Sequence, residues 1–275
     1  MSTLGKKKFS APKGCAILAA VIFGCFLLVF AVVGIQTWGP LKNARESMAE
    51  LDKALGPNVT YRPAPSGEIP ADRMEVFLTL RASLRTACDE YGDVQQGFDQ
   101  VEALDAQEAG DLSDVGEVTV GLGKASLAIT PFLARFFELR NSELLAKSMG
   151  LQEYSYIYAT AYHDQLLSRQ TRHEIFSDGM PLSPKASLML QGCLSRQLAA
   201  MDQAGVEAMG QDALTAELKK MEDDPGRLIW QDGLPSSLGA SINPYRERLD
   251  KMFCGATAGL EMEHGSSRAL RVAIE

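Results

Sequence analysis

A chain of 275 residues with a net charge of −8 is long enough to bury one good-sized core or two small ones. It shows none of the clustered Lys and Arg of a nucleic-acid footprint. Between Arg85 and Lys124 it carries ten acids and no Lys or Arg, so the remainder of the chain is +2. Cys-x-x-Cys pairs, Gly-x-Ser-x-Gly elbows and dinucleotide fingerprints are all absent.

Cys15 to Ile35 (CAILAAVIFGCFLLVFAVVGI) is a run of 21 residues without charge, amide, proline or histidine. As a helix it is about 31 Å long, which matches a hydrocarbon core of about 30 Å. The run is too long for a signal h-region, and Phe23 spoils a lipobox ending at Cys25. An uncleaved signal-anchor is expected, with Trp38 at the interface. Lys6, Lys7, Lys8 and Lys13 precede it, against Lys42, Arg45 and Lys53 after it. Basic flanks stay inside, so the N-terminus is expected in the cytoplasm. The rest would lie outside the cytoplasmic (inner) membrane, which in a bacterium means the periplasm. Ala16, Ala20 and Gly24 recur every four residues and form a candidate dimer face in lipid.

Pro40 suits the first turn of a new helix. Leu41, Ala44, Met48, Leu51 and Leu55 then make an apolar stripe of two heptads. The stripe suits either a dimer seam or a face folded back on its own domain. Gly56 to Pro70 has four prolines in 15 residues and reads as an extended spacer. These signals divide the chain into a tail (1–13), an anchor (14–38), a juxtamembrane helix with spacer (39–71) and a helical extracytoplasmic domain (72–275). The expected fold class is all-α, one transmembrane helix followed by a multi-helix soluble domain.

From Ala71 onward the periodicity is helical. Phe77, Leu80, Leu84, Cys88 and Tyr91 share one face; Arg81 and Arg85 sit on another, with Arg85 in i,i+4 reach of Asp89. Val94, Phe98, Val101 and Leu104 mark a shorter helix. Asp99, Glu102, Asp105, Glu108, Asp111, Asp114 and Glu117 fall every third residue and spiral round a helix instead of lining it, so a solvated acidic loop is expected. Gly121-Leu122-Gly123-Lys124 lacks the earlier Gly and following Ser or Thr of a phosphate loop.

Thr130-Pro131, Ser183-Pro184 and Asn243-Pro244 each place proline after a capping residue. With Gly150, Gly205 and Gly255 as stops, they predict helices at 131–149, 184–204 and 244–254. Leu151 to Ser168 is apolar nearly all round and is expected as the central core helix. Its Tyr154, Tyr158 and Tyr162 stack at i, i+4 and i+8, the one candidate wall for a ligand cleft. A further helix is expected from Val206 to Met221, then turns at Asp224-Pro225-Gly226 and Asp232-Gly233-Leu234-Pro235. Leu270, Val272 and Ile274 permit a short terminal strand.

His163-Asp164 and His173-Glu174 invite an acid–base or metal reading. On one helix His163 and Glu174 would stand about 16 Å apart along the axis, too far for one metal. No metal ligand set, no cofactor and no catalytic residue is therefore assigned. Cys88, Cys193 and Cys254 are read first as buried thiols; one bridge with one thiol left over is the alternative, and whether it would join Cys193 to Cys254 stays open. The expected function is protein binding in the envelope by an accessory, scaffold or chaperone-like protein. A ligand-binding or sensory domain is the second reading, and an enzyme built on the His163/His173 region the third. Expected partners are the lipid bilayer, an envelope protein and a second copy of the chain, with no nucleic acid.

Overall fold

A computed structural model describes residues 39–56, 61–92, 115–170, 183–204 and 210–263. The apolar run, the Ala16-Ala20-Gly24 face, the acidic series through Glu117, His173-Glu174 and the alternating C-terminus lie outside the described residues or, for Val115 to Glu117, are described in backbone alone. Every regular element among the described residues is helical. They comprise α1 (39–55), α2 (Ala71–Ser83), α3 (85–92), α4 (Val115–Ala146), α5 (Leu151–Ala161), α6 (His163–Gln170), α7 (Pro184–Ala204), α8 (Gly210–Asp223), α9 (Ser236–Ile242), a 3-10 turn (Asn243–Tyr245) and α10 (Arg246–Met252). None of them is long and apolar enough to cross a membrane.

The core is built around α5, where ten of eleven residues are buried. The expected continuous helix breaks at Tyr162 and resumes as α6. Helices α2, α4 and α7 pack on α5, and α8 packs on the far side of α7. A second, smaller core joins Ala44 of α1, Tyr91 of α3, Phe132 and Phe137 of α4, and Leu260.

The stripe on α1 folds back on its own domain. Leu41, Ala44, Met48 and Leu51 are buried there, which leaves this face no role as a dimer seam. The proline-rich stretch is no free spacer either. Tyr61 donates its N–H to Gln152 Oε1 (3.2 Å), and its carbonyl accepts from Arg196 Nε (2.6 Å). Ile69 donates to Ser241 Oγ, and Ser237 Oγ donates to Ser66 O. Proline removes N–H groups, so side chains from α5, α7 and α9 fix this irregular backbone in place of a ladder.

The capping idiom holds at one of its three positions. Ser183 Oγ accepts from Ala186 N–H (3.2 Å), and α7 opens on Pro184. Pro131 instead lies inside α4; its ring sets a helical φ at the loss of one backbone bond, so the helix runs through it. Asn243 is a helical joint between α9 and the 3-10 turn and makes no side-chain cap, because the chain has already turned helical at Ser236. The stop expected at Gly150 comes two residues earlier. Ser148 takes a left-handed φ of 51°, while Met149 N–H reaches Leu144 O (3.0 Å) and Ser148 N–H reaches Leu145 O (3.1 Å). This double bond pattern closes a helix whose flanking apolar residues touch, and both Leu144 and Met149 are fully buried. Gly150 then caps the start of α5.

Candidate functional site

The densest polar chemistry lies buried on the tyrosine face of α5. Arg81 of α2 donates from Nη1 to Glu261 Oε1 (2.6 Å) and to Tyr154 Oη (2.9 Å), and from Nη2 to Met252 O (3.2 Å). Glu261 Oε2 accepts from Tyr154 Oη (2.6 Å), and Oε1 also accepts from Thr257 Oγ1 (2.7 Å). The Arg81 and Glu261 side chains are 1% and 0% exposed, so the pair is held by mutual attraction and these hydrogen bonds, with Arg81 Nε alone unpartnered among its nitrogens, in a medium that would otherwise expel both charges.

Arg140 of α4 completes the cluster. It is fully buried and donates from Nη1 to Leu260 O (3.1 Å) and Glu261 O (2.9 Å). Asn141 Oδ1 accepts its other nitrogens, and the Phe137 ring lies 4.9 Å below its guanidinium carbon. Arg81 is likewise set over Tyr158 at 5.2 Å and Tyr162 at 5.6 Å.

The electrostatics follow from burial. Desolvation alone would pull the Arg81 pKa down, but the Glu261 charge beside it drives it well above the ordinary value. Arg140, which meets backbone carbonyls in place of a carboxylate, is pulled down by burial. Tyr154 is pushed well up by burial, partly countered by Arg81, and Tyr162 is pushed up to about 12 by the same burial. All three tyrosines are fully buried; their face meets Arg81 and the segment 253–263, not solvent. A cleft of about 190 Å³ opens elsewhere, between the end of α1 (Asp52, Leu55), Tyr61 and the first turn of α5, and includes none of the three.

His163 is committed to a structural bond. Its Nε2 lies 2.7 Å from Trp230 O, a carbonyl that can only accept, so Nε2 carries the proton. Nδ1 faces Asp164 Oδ1 at 3.2 Å, and Asp164 also pairs with Arg246 (3.3 Å). Trp230 itself has a left-handed φ of 58°. Its N–H is held by buried Glu217 (2.7 Å), and its carbonyl also accepts from Gly233 N–H (2.8 Å). These bonds over-determine a backbone conformation that costs about 1–3 kcal/mol. Among the described residues no group of three or more His, Cys, Asp and Glu is placed to hold a metal.

The cysteines correct the first expectation of buried thiols. Cys88 of α3 and Cys254 form a disulfide, and of these three Cys193 remains a buried thiol. The sequence assigns Arg140 and Glu261 no role and sets Arg81 with Arg85 away from the Phe77-Leu84 face; the structure corrects this, because Arg81 is buried. Arg81 stands four residues after Phe77 and three before Leu84, on the apolar stripe itself, and that spacing was the available signal. Arg140 likewise interrupts the Leu133-Phe137-Leu144 series. Glu261 lies in a tail with no period, and nothing local marks it. Comparison with protein-family models, with curated proteins and with solved structures finds no match to this chain.

Proposed function

We propose that the chain is a single-pass membrane-anchored protein, N-terminus in the cytoplasm, whose helical domain acts outside the cytoplasmic membrane by binding a protein of the envelope. The observation that carries this reading is the Cys88–Cys254 bridge. Structural disulfides persist in oxidising compartments, the side to which the lysine-flanked apolar run would deliver the domain. The binding role is supported by the employment of the reactive groups in the fold. Arg81, Glu261 and Tyr154 satisfy one another, and His163 holds the Trp230 turn.

The test uses the full chain in intact cells. A cysteine placed at exposed Ser195 is expected to react with a membrane-impermeant maleimide before lysis; reaction only after lysis overturns the topology. A photo-crosslinker on the same helix is expected to capture one defined envelope protein. Recovery of none under several growth conditions overturns the binding role.

A further inference from the structure

We propose that residues 253–263 form a redox-gated strap that occupies, as an internal ligand, a cradle in which Arg81 and Tyr154 hold a carboxylate and Arg140 holds the adjoining backbone carbonyls. This inference goes beyond the partner-binding reading and stands without it. The strap has no helix, and its own backbone bonds are turns: Ala258 to Gly255, Leu260 to Thr257 and Glu263 to Leu260. Irregular segments of this kind normally run over the surface. Here Cys254, Thr257, Ala258, Leu260, Glu261 and Met262 are all buried.

Two fastenings hold the strap inside. One is covalent, from Cys254 to Cys88 on α3. The other is Glu261, which takes hydrogen bonds from Arg81 and Tyr154 while Arg140 holds the carbonyls of Leu260 and Glu261. Lifting the strap away would leave a concave set of donors: Nη groups of two arginines, and one phenol oriented toward them. In the closed form Arg81 alone pairs with the Glu261 carboxylate, while Arg140 takes the neighbouring backbone carbonyls. Such a site selects an acceptor with negative charge, and the carboxylate of an acidic peptide fits the two donors that Glu261 already uses, Arg81 Nη1 on one oxygen and the Tyr154 hydroxyl on the other.

The gate is the disulfide, whose Cys88 end is only half-buried. A dithiol reductant donates two electrons and two protons, becomes a disulfide itself, and leaves Cys88 and Cys254 as thiols. The strap is then held by non-covalent contacts only: Glu261, the Arg140-bound carbonyls and its buried apolar side chains. An incoming carboxylate competes with Glu261 against the advantage of a tethered ligand.

The experiment uses the full chain in detergent, oxidised or treated with excess dithiothreitol, and a fluorescent peptide copying residues 253–263 with Ser for Cys254. Reduction is expected to speed amide exchange across 253–263 while Leu151–Ala161 stays protected. The peptide is expected to bind the reduced chain and not the oxidised one. A peptide carrying Glu261→Gln is expected to bind roughly ten-fold more weakly, the worth of one charge-assisted hydrogen bond. A strap that stays protected after reduction overturns the proposal, as does loss of protection in α5 as well, or equal binding of both peptides. The Cys88→Ser/Cys254→Ser chain reproduces the open state without reductant. Where that variant fails to fold, Glu261→Gln in the reduced chain removes the charge of the internal competitor while keeping its shape and should raise affinity for the wild-type peptide; unchanged or lower affinity overturns the idea.

Discussion

The two sides of α5 bury the same residue type by different means. Tyr154 faces Arg81 and Glu261 and both gives and receives a hydrogen bond. Tyr156 faces the other way, its ring 5.7 Å from Tyr61 and its hydroxyl without a hydrogen-bond partner among the described residues. One side is therefore a charged seam in which each group depends on the next. The other, toward α7 and its buried Leu190, Cys193 and Leu194, is held mainly by packed area, with Gln152 Oε1 accepting from Arg196 Nη2 (2.9 Å) near its start. A seam of the first kind is easily broken by removing one member, whereas the second degrades gradually as volume is lost.

The sharpest way to break the comparison is Arg81→Met. It strands the Glu261 carboxylate in the core and should lower unfolding stability by about 3–5 kcal/mol, read by denaturant titration. Adding Glu261→Leu should recover much of that loss, since a packed apolar pair replaces a buried ionic one. No recovery would mean that the seam matters for shape instead of charge.

Tyrosine-to-phenylalanine changes on the two faces sharpen the contrast. Tyr154→Phe removes a donor from a buried carboxylate and should cost about 1.5–3 kcal/mol. Tyr156→Phe removes an unpartnered buried hydroxyl and should leave stability unchanged or raise it by up to about 1 kcal/mol. Equal losses from the two would erase the distinction drawn between the faces.

Two smaller effects complete the series. Burial pushes the Cys193 thiol up to about 11, so iodoacetamide at neutral pH should leave it unmodified in the native chain and alkylate it in denaturant. On the surface, Lys220 and Arg227 hold Asp232 below its ordinary pKa, and Arg248 does the same for Glu75. A carboxylate depressed in the folded state contributes fully above its unfolded value and loses that contribution as acid protonates it. This contribution should therefore be constant from neutral pH down to about 5 and fall progressively below it; removing both carboxylates should shrink the fall.

The fold class and the centrality of α5 were legible because apolar periodicity is a local signal. Tyr154, Ile157 and Tyr158 announce burial wherever the chain goes. The fate of the α1 stripe was not, because Leu41 to Leu55 suits a partner helix and a home domain equally. Helix ends were misread where tertiary contacts outweighed local chemistry: Ser148, not Gly150, takes the left-handed turn because Leu144 and Met149 close over it. The polar cluster was hidden for a different reason. Arg81 and Glu261 are 180 residues apart, and a charge reads as solvent-facing until the partner that makes burial tolerable is known. The pairing of Cys88 with Cys254 was hidden in the same way, since spacing alone does not choose among three thiols.

The return of α1 onto the core also sets the geometry of attachment. Only three residues, and so four Cα–Cα steps, separate Ile35, the end of the apolar run, from Gly39, where the packed helix begins. Fully extended they span at most about 14 Å. On the anchored reading the domain has almost no leash. It cannot search the space beyond the bilayer as a tethered module does, and any protein it meets must come to the membrane surface or already reside there.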